Sequence, residues 1–193
     1  VWAWGWDYFG AVGDGLNTLD SVSTKTPAPV LGPGGTGVLE GIKAIAAGGS
    51  HNLALANDGT VWAWGNNNGL LGVGDGTTGY FRSFPVHVLG PNGDGLLTDI
   101  VGVAVGGGYN LALKSDGTGA AWGTNDYGQT TVPAGLTGVT AIAAWGYFSV
   151  ALKSDGTVVV FGENTYSQTA VPTGLPGVTA IAAGVAHTMA IVG

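Results

Sequence analysis

Short apolar segments recur along the chain in a fixed order of three phrases. The first phrase has the form Ile-Ala-Ala, and its copies begin at Ile45, Val103, Ile142 and Ile181. The second phrase follows within about ten residues and has the form Leu-Ala-Leu, with copies that begin at Leu53, Leu111, Val150 and Met189. The third phrase is an Asp-Gly-Thr turn followed by a strand that ends in Trp-Gly or Phe-Gly, at residues 58–65, 116–123 and 155–162. Residues 1–5, Val-Trp-Ala-Trp-Gly, match the end of this third phrase.

The spacing of these phrases divides the chain into four repeat units. Copies of the first phrase are separated by steps of 58, 39 and 39 residues, so two units are long and two are short. We predict a single repeat domain over 1–193. Its first unit consists of about 1–41 together with the C-terminal strands 178–193. The other three units are at about 42–99, 100–138 and 139–177. The extra residues of the long units lie within 10–41 and 69–99. They are rich in Gly, Pro, Asp and Thr, a composition that predicts loops.

The pattern within each unit predicts β-structure. The apolar runs are short, rich in Val, Ile, Trp and Thr, and bounded by glycine, and no useful length of chain has helical periodicity. Leu-Ala-Leu followed by Asp-Gly predicts a hairpin, because glycine adopts the positive φ that a tight turn requires. Four such units predict an all-β fold of β-propeller-type blades, in which neighbouring sheets supply the core that one unit cannot form alone.

Charge and composition exclude several classes of function. The net charge is −7, and the five basic residues Lys25, Lys43, Arg82, Lys114 and Lys153 are scattered, so nucleic acid is excluded as a partner class. No apolar run reaches the roughly 18 residues of a membrane span, so no membrane insertion is predicted. Cysteine is absent, which excludes disulfides and thiolate metal sites. Abundant Gly, Ala, Thr and Val with few lysines suggest an extracellular protein.

Several of these motifs resemble the regulator of chromosome condensation repeat superfamily of β-propellers. The resemblance is carried by Gly-Leu-Leu-Gly-Val-Gly-Asp at 69–75, Gly-Gly-Ser-His-Asn-Leu-Ala-Leu at 48–55 and Asp-Gly-Thr-Val-Trp-Ala-Trp-Gly at 58–65. The short units, such as residues 127–144, resemble the propeller-type β-lactamase inhibitory proteins of the same superfamily. Members of the superfamily are mostly seven-bladed rings, whereas this chain has four units.

Four units leave the arrangement of the blades open. The chain could form a closed small ring, a partial ring, or a ring or filament completed by neighbouring chains. Residues 1–5 match the strand after the Asp-Gly turn and residues 189–191 match the strand before it, so the two would together complete one blade. When they belong to different chains the contact is head-to-tail, and such contacts build rings or filaments. We therefore expect a homo-oligomer or a part of a larger chain.

The sequence contains no recognisable catalytic constellation, and we predict neither an enzyme, a metal site nor a cofactor. His51 and His187 occupy equivalent repeat positions and are interpreted as structural residues, because the other units offer poor metal ligands there. The repeated aspartates of the Asp-Gly-Thr phrases are interpreted as turn residues. The tryptophans of the third phrase, Trp2, Trp4, Trp62, Trp64 and Trp122, are interpreted as packing between blades.

The resemblance to the inhibitory proteins implies a binding surface. In those proteins, aromatic and acidic side chains of two loop classes on one face grip the partner. The matching residues here, predicted to bind a partner, are Asp7, Tyr8, Tyr109, Asp126, Tyr127, Trp145, Tyr147, Phe148 and Tyr166. Tyrosine and tryptophan suit this role because they bury a large area with little loss of side-chain entropy.

We therefore expect a non-catalytic β-propeller module that binds protein, which could be a further copy of itself, through aromatic and acidic loops on one face. One alternative is a structural subunit of an extracellular fibre or lattice, assembled head-to-tail by strand completion. Another is an enzyme inhibitor of the β-lactamase-inhibitory type.

Overall fold

A computed structural model describes residues 1–16, 23–72, 80–91 and 93–193, and the structural statements below concern these residues. The last three residues of the Gly-Leu-Leu-Gly-Val-Gly-Asp motif, 73–75, lie outside them. The described chain contains β-strands and two short 3-10 helices, at Tyr8–Gly10 and Pro33–Gly35. The strands are β1 (Trp2–Trp6), β2 (Ser23–Pro29), β3 (Ile42–Ala47), β4 (His51–Ala56), β5 (Val61–Asn66), β6 (Phe81–His87), β7 (Ile100–Val105), β8 (Tyr109–Lys114), β9 (Gly119–Gly123), β10 (Val139–Trp145), β11 (Phe148–Lys153), β12 (Val158–Gly162), β13 (Val178–Ala183) and β14 (Thr188–Val192).

These strands form small antiparallel sheets in two compact units. The unit Val1–Asp99 contains the sheets β1-β2 and β3-β4-β5-β6. The unit Ile100–Gly193 contains β7-β8-β9, β10-β11-β12 and β13-β14. Strands follow each other in sequence order within each sheet, as hairpins require. The all-β prediction is therefore confirmed, and each repeat begins with the strand formed by the Ile-Ala-Ala phrase.

The Asp-Gly-Thr phrase forms the turn between the second and third strands of each complete sheet. In the first such turn, the Asp58 carboxylate oxygen Oδ1 accepts hydrogen bonds from the Thr60 amide at 2.9 Å and from the Thr60 hydroxyl at 2.7 Å. Gly59 between them has a φ of 85°, a conformation that disfavours other residues. Asp116 makes the same pair of bonds to Thr118, and the Asp155 carboxylate accepts from the Thr157 amide. The predicted role of these aspartates in turns is confirmed.

The loop prediction for the long insertions is wrong at two places. Strands β2 and β6 lie inside these insertions and pair with β1 and β5 respectively. Their sequences hide this role because they contain Pro27, Pro29 and Pro85. Proline cannot donate a ladder hydrogen bond and is tolerated on an edge strand. Both pairings also contain a register shift, between Ala3 and Gly5 and between Ala63 and Gly65.

Neighbouring sheets within each unit pack face to face. In the second unit, Tyr109 and Leu111 of β8 pack with Ala121 against Ile142 and Ala144 of β10. One sheet further, Phe148, Val150 and Val158 pack with residues of β13, including Ile181 and Ala183. In the first unit, Trp64 packs with Val30 and Leu39, and Ala3 of β1 and the preceding Val1 pack against the same cluster. Small alanines between larger residues allow this close approach.

The tryptophans of the third phrase have different environments in different sheets. Trp64 is only 3% exposed, and its indole Nε1 donates to the Ala11 carbonyl oxygen at 3.0 Å, so the core prediction is confirmed for this residue. Trp62 is partly buried and stacks on His87 with ring centroids 3.5 Å apart. Trp2 and Trp4, by contrast, are 62% and 63% exposed, so the core prediction is wrong for them in this structure. Both indoles line an open groove together with residues of β3 and β4.

The hydrogen-bonded aspartate of a turn should make the stability of the fold depend on pH in acid. Hydrogen bonds from the Thr157 amide and hydroxyl, together with Lys153, lower the pKa of Asp155 to about 2, from an ordinary value of 3.8. Because the folded-state pKa is depressed, the charged carboxylate stabilises the fold above about pH 4, and this contribution is lost as the pH falls towards 2. We expect Asp155→Ala to unfold at a lower temperature at neutral pH and to lose less further stability in acid.

Thermal unfolding followed by circular dichroism between pH 7 and pH 2 measures this effect. Asp155→Asn is the matched control, because an amide keeps a hydrogen-bond acceptor but cannot titrate. An unchanged acid dependence in Asp155→Ala would contradict the role of this carboxylate.

Candidate protein-binding surface

Three of the nine residues predicted to bind a partner are buried in this structure. Asp7 is 1% exposed, and its carboxylate accepts a hydrogen bond from the Val12 amide at 2.8 Å. The side chains of Tyr109 and Phe148 are fully buried. The surface position predicted for these three residues is therefore corrected, because Asp7 holds a loop together and the two rings belong to the core.

Tyr109 is held by contacts inside the second unit. Its hydroxyl donates to the backbone carbonyl oxygen of Phe148. The ring lies so close to Gly106 that a β-carbon there would clash with ring atom Cε1. Burial raises the pKa of Tyr109 to about 12. The buried side chain of Tyr109 thus connects β8 to the first residue of β11 in the neighbouring sheet.

The sequence contains a signal that places these rings in the core. Tyr109 lies two positions before Leu111, and Phe148 lies two positions before Val150. Residues two apart in a strand point to the same side, so each ring shares the inward face of the leucine-like residue that follows. The same alternation places His51 inside, where it is 1% exposed before the buried Leu53.

Four of the predicted residues are exposed in the second unit, and we call them together the aromatic surface: Asp126, Tyr127, Trp145 and Tyr147. Tyr127 is 51% exposed, Tyr147 is 44% exposed and Trp145 is 40% exposed. The rings of Tyr127 and Tyr147 contact each other with centroids 5.2 Å apart at an interplanar angle of 39°. The structure therefore brings together side chains that lie about twenty residues apart in the chain.

The loop that carries Tyr127 is fixed by a buried glutamine that sequence reasoning missed. The side-chain oxygen of Gln129 accepts a hydrogen bond from the Tyr127 amide at 2.9 Å, and Gln129 is completely buried. The Ser149 hydroxyl donates to the Gln129 carbonyl oxygen at 2.7 Å, which attaches the loop to β11. Asn125 closes the loop by accepting a hydrogen bond from the Thr130 amide at 2.9 Å. Tyr127 is therefore held in place before any partner arrives.

The next repeat builds the same loop around Tyr166. Gln168 accepts from the Tyr166 amide at 2.9 Å, and Asn164 accepts from the Thr169 amide at 3.0 Å. The Glu163 amide donates to the Tyr147 carbonyl oxygen at 2.9 Å, so this loop is attached to the turn that carries Tyr147. Tyr166 itself is 72% exposed. The recurrence of Asn-x-Tyr-x-Gln-Thr at 125–130 and 164–169 is the signal that could have identified both glutamines.

The aromatic surface is acidic because of where the charged residues lie on the strands. The structure describes all of residues 100–193, and the two lysines there, Lys114 and Lys153, lie at the ends of β8 and β11 next to the Asp-Gly-Thr turns. The turns that carry Trp145 and Tyr147 lie at the other ends of these strands. Asp126 and Glu163 are the carboxylates of the two tyrosine loops. The local field therefore favours a partner with positive charge.

Tyr8 belongs to the first unit and has a different setting. It is partly buried, and it stacks on Trp6 with centroids 5.2 Å apart at 7°. Its ring also meets Phe9 edge-on at 4.2 Å. Tyr8 thus belongs to a small aromatic cluster beside β1.

Groups that could hold a metal ion are absent from the part of the chain that the structure describes. No three His, Cys, Asp or Glu side chains there are placed together for this purpose. Among the same residues, no helix has the length and hydropathy needed to cross a membrane.

Comparisons with known proteins give matches to one repeat family. A model described as the regulator of chromosome condensation (RCC1) repeat matches residues 1–55 and 58–113, and a second model of that description matches 42–69 and 139–168. The chain is 36% identical over 131 residues to the ultraviolet-B receptor UVR8 of Arabidopsis thaliana, which covers 66% of this chain and 26% of that protein. It is 35% identical over 129 residues to the human E3 ubiquitin-protein ligase HERC2, covering 67% of this chain and 2% of that protein. The chain thus spans about a quarter or less of these relatives.

Solved structures agree on the fold. Human WBSCR16 superimposes with a TM-score of 0.71 at 22% identity, covering 98% of this chain and 54% of that one. Prp20p of Saccharomyces cerevisiae superimposes with a TM-score of 0.68 at 20% identity, covering 88% and 46%. These neighbours confirm the prediction of β-propeller-type blades.

The burial of Tyr109 predicts a loss of stability in alkali. Because its folded-state pKa of about 12 lies above the ordinary value of 10, the neutral phenol stabilises the fold below about pH 10, and this contribution is lost as the pH rises towards 12. Tyr109→Phe should remove part of this dependence and should lower stability at neutral pH by about 1 kcal/mol, the net value of one hydrogen bond. Chemical denaturation at pH 7 and at about pH 10.5, just above the ordinary tyrosine pKa, measures both effects. A variant with unchanged stability and alkaline dependence would contradict the buried position.

Proposed function

This chain belongs to the regulator of chromosome condensation (RCC1) repeat family, and on that premise we propose that it is a non-catalytic module that binds a protein partner through the aromatic surface. The observation that carries the proposal is the contact between Tyr127 and Tyr147, two exposed rings on neighbouring fixed loops. Tyr166 extends the surface on the adjoining loop, which is bonded to the Tyr147 turn.

The rigidity of the loops supports this function. A flexible side chain loses conformational entropy when it is buried in an interface, and the loss reduces affinity. Here the backbone of each tyrosine loop is already fixed by Gln129 or Gln168. Tyrosine has few rotatable bonds, so most of the area it buries contributes to binding.

The charge of the surface indicates the chemistry of the partner. Asp126 and Glu163 flank the exposed rings, whereas the lysines of this unit lie at the other ends of the strands. A protein surface with arginine or lysine can form charge-assisted hydrogen bonds with the carboxylates and cation–π contacts with the rings. Protein binding also agrees with the behaviour of Prp20p, the structural neighbour from yeast, which binds Gsp1p and histones.

The double variant Tyr127→Ala/Tyr147→Ala tests the surface. Central aromatic residues commonly contribute about 2 kcal/mol each, so we expect affinity to fall by about 30-fold per residue that anchors the partner. Partners are captured on the immobilised chain from a lysate of the source cells and quantified by mass spectrometry. Each captured protein is then purified and titrated by calorimetry at two salt concentrations, because steering by the carboxylates weakens as salt increases.

Tyr80→Ala is the matched control, since Tyr80 is 73% exposed in the first unit and is outside the aromatic surface. Equal affinity of the wild-type chain and the double variant for every captured partner would contradict the proposal. A β-lactamase that is inhibited by the wild-type chain but not by the double variant would identify the partner class of the inhibitory alternative.

Strand edges support a second candidate, assembly of copies by strand completion. In the described first unit β1 pairs only with β2, and in the second unit β14 pairs only with β13. Both strands expose large apolar side chains, including Trp4 on β1 and Met189 and Ile191 on β14. An unpaired apolar edge is a template for another strand.

Removal of the exposed indoles tests this assembly. We expect Trp2→Ser/Trp4→Ser to fold normally, because both side chains are mostly exposed in the chain, and to reduce the mass of the particle in solution to that of a single chain. Light scattering over a range of concentrations measures the mass, with Tyr80→Ser as the control for loss of an exposed aromatic residue. A wild-type chain that has the mass of one chain at all concentrations would remove this candidate.

A further inference from the structure

We propose that Tyr127 and Tyr147 form an oxidative modification site, at which a peroxidase-type oxidant joins the two phenol rings in a dityrosine cross-link. The proposal goes beyond the binding of a protein partner, because it depends only on the chemistry and placement of these two side chains. The co-reactant is a one-electron oxidant of the class that haem peroxidases form from hydrogen peroxide. The product is a covalent bond between two loops of the second unit.

The position of this pair distinguishes it from the other tyrosines. All six tyrosines of the chain are among the residues that the structure describes. Among the ring contacts of those residues, two tyrosines meet only at Tyr127 and Tyr147, with centroids 5.2 Å apart at an interplanar angle of 39°. The ring of Tyr8 contacts a tryptophan and a phenylalanine instead. Coupling of two phenols requires contact between their rings, so the structure favours this pair.

Both rings are open to an oxidant from solvent. Tyr127 is 51% exposed and Tyr147 is 44% exposed, although the rings contact each other. Tyr109 shows the opposite case, because its ring is fully buried and its hydroxyl donates to the Phe148 carbonyl oxygen. An oxidant must remove an electron and the phenolic proton, and solvent accepts that proton readily at an exposed hydroxyl. Exposure and contact with a second phenol therefore coincide in this pair.

The backbone holds the two rings within reach of each other. The turn that carries Tyr147 is bonded on both sides, since the Gly107 amide donates to the Gly146 carbonyl oxygen and the Glu163 amide donates to the Tyr147 carbonyl oxygen, each at 2.9 Å. The neighbouring tyrosine loop is fixed by the buried Gln129. Two reactants held in contact combine much faster than two that must meet by diffusion. Coupling within one chain is therefore favoured over coupling between chains.

The reaction balances with one molecule of hydrogen peroxide for each cross-link. The peroxidase removes one electron and the phenolic proton from each ring, which leaves two phenoxyl radicals. The radicals combine in a carbon–carbon bond between the Cε atoms, which lie next to the hydroxyl-bearing carbons. Each Cε then loses its hydrogen as a proton while the phenolic oxygen regains one, so both rings become aromatic again. The pair has lost two hydrogen atoms in total, and the peroxide takes up these electrons and protons to give two molecules of water.

The composition of the chain leaves few competing targets. Sulfur side chains are common targets of oxidants. The chain has no cysteine and one methionine, Met189, which lies on β14 in a different sheet from the turn that carries Tyr147. A thiol that could reduce a phenoxyl radical before coupling is therefore absent from this sequence.

The cross-link would hold two loops of the second unit together. It closes a segment of about twenty residues between positions 127 and 147, and a covalent bond across such a segment restricts the unfolded chain. We expect the cross-linked chain to unfold at a higher temperature than the untreated chain. Because both rings also belong to the aromatic surface, oxidation would change that surface as well as stabilise the unit.

Peroxidase treatment followed by peptide mass analysis tests the site. The intact chain is oxidised at low concentration with a haem peroxidase and hydrogen peroxide, and the product that migrates as one chain on a denaturing gel is recovered. Trypsin, which cleaves after lysine, then releases residues 115–153 between Lys114 and Lys153. This segment contains Tyr127 and Tyr147 and no other tyrosine. Loss of two hydrogen atoms from this one peptide, together with dityrosine fluorescence, identifies the bond.

Matched variants assign the bond to the two rings. We expect the cross-linked peptide of the wild-type chain to be at least about tenfold more abundant than any product that joins two chains, because the rings are already in contact. Tyr127→Phe and Tyr147→Phe keep an aromatic ring in place but remove the phenol, so neither should give the cross-linked peptide. Tyr166→Phe is the control, since it removes a 72% exposed phenol from the equivalent loop and should leave the yield unchanged.

The outcomes are distinct from those of the binding test. With free tyrosine as proof that the oxidant is active, a 115–153 peptide of unchanged mass would overturn the proposal. A peptide that gains oxygen at Trp122 or Trp145 without losing two hydrogen atoms would also overturn it. A cross-linked peptide that persists in Tyr147→Phe would place the bond at another residue, with the same consequence. Because the readout is a mass, equal partner affinity of the wild-type chain and the Tyr127→Ala/Tyr147→Ala variant would contradict the proposed function alone.

Discussion

A sheet of three or four short strands cannot bury its own two faces, and this constraint determines most of the structure. Each complete sheet places Leu, Val and aromatic residues on faces that only a neighbouring sheet can cover. Where a neighbour is present, as for Trp64, the side chain is almost fully buried. Trp4, the equivalent of Trp64 on β1, is by contrast 63% exposed. Exposure therefore depends on a position's neighbours as much as on its residue type.

Equivalent positions in different repeats have different roles. The turn before Leu-Ala-Leu contains Gly106 under the Tyr109 ring in one repeat and Trp145 in the equivalent place of another. In the first case the aromatic ring needs the space that glycine leaves, whereas in the second the indole lies at the surface. The same backbone position thus serves packing in one sheet and is available for recognition in the next.

The sequence predicted the elements governed by local chemistry. The hairpins, the Asp-Gly-Thr turns and the strand alternation depend on a few adjacent residues, and the structure confirms them. Strands β2 and β6 were missed because proline and register shifts remove the alternating pattern. The exposure of Trp2 and Trp4 could not be predicted, because it depends on which strand lies beside β1. The burial of Asp7 likewise depends on a hydrogen bond from the Val12 amide, five residues away, which no pattern of apolar positions indicates.

The two groups of exposed aromatic residues have different physical meanings. At Tyr127 and Tyr166 the loop backbone is already bonded through Gln129 and Gln168, so only the side chains remain available to a partner. At Trp2 and Trp4 the strand itself is unpaired along one edge within its described unit, so backbone and side chains are available together. A surface of the first kind suits a folded partner that brings its own side chains. An edge of the second kind suits a β-strand, because a strand that adds to it satisfies the backbone hydrogen bonds and covers the indoles at once.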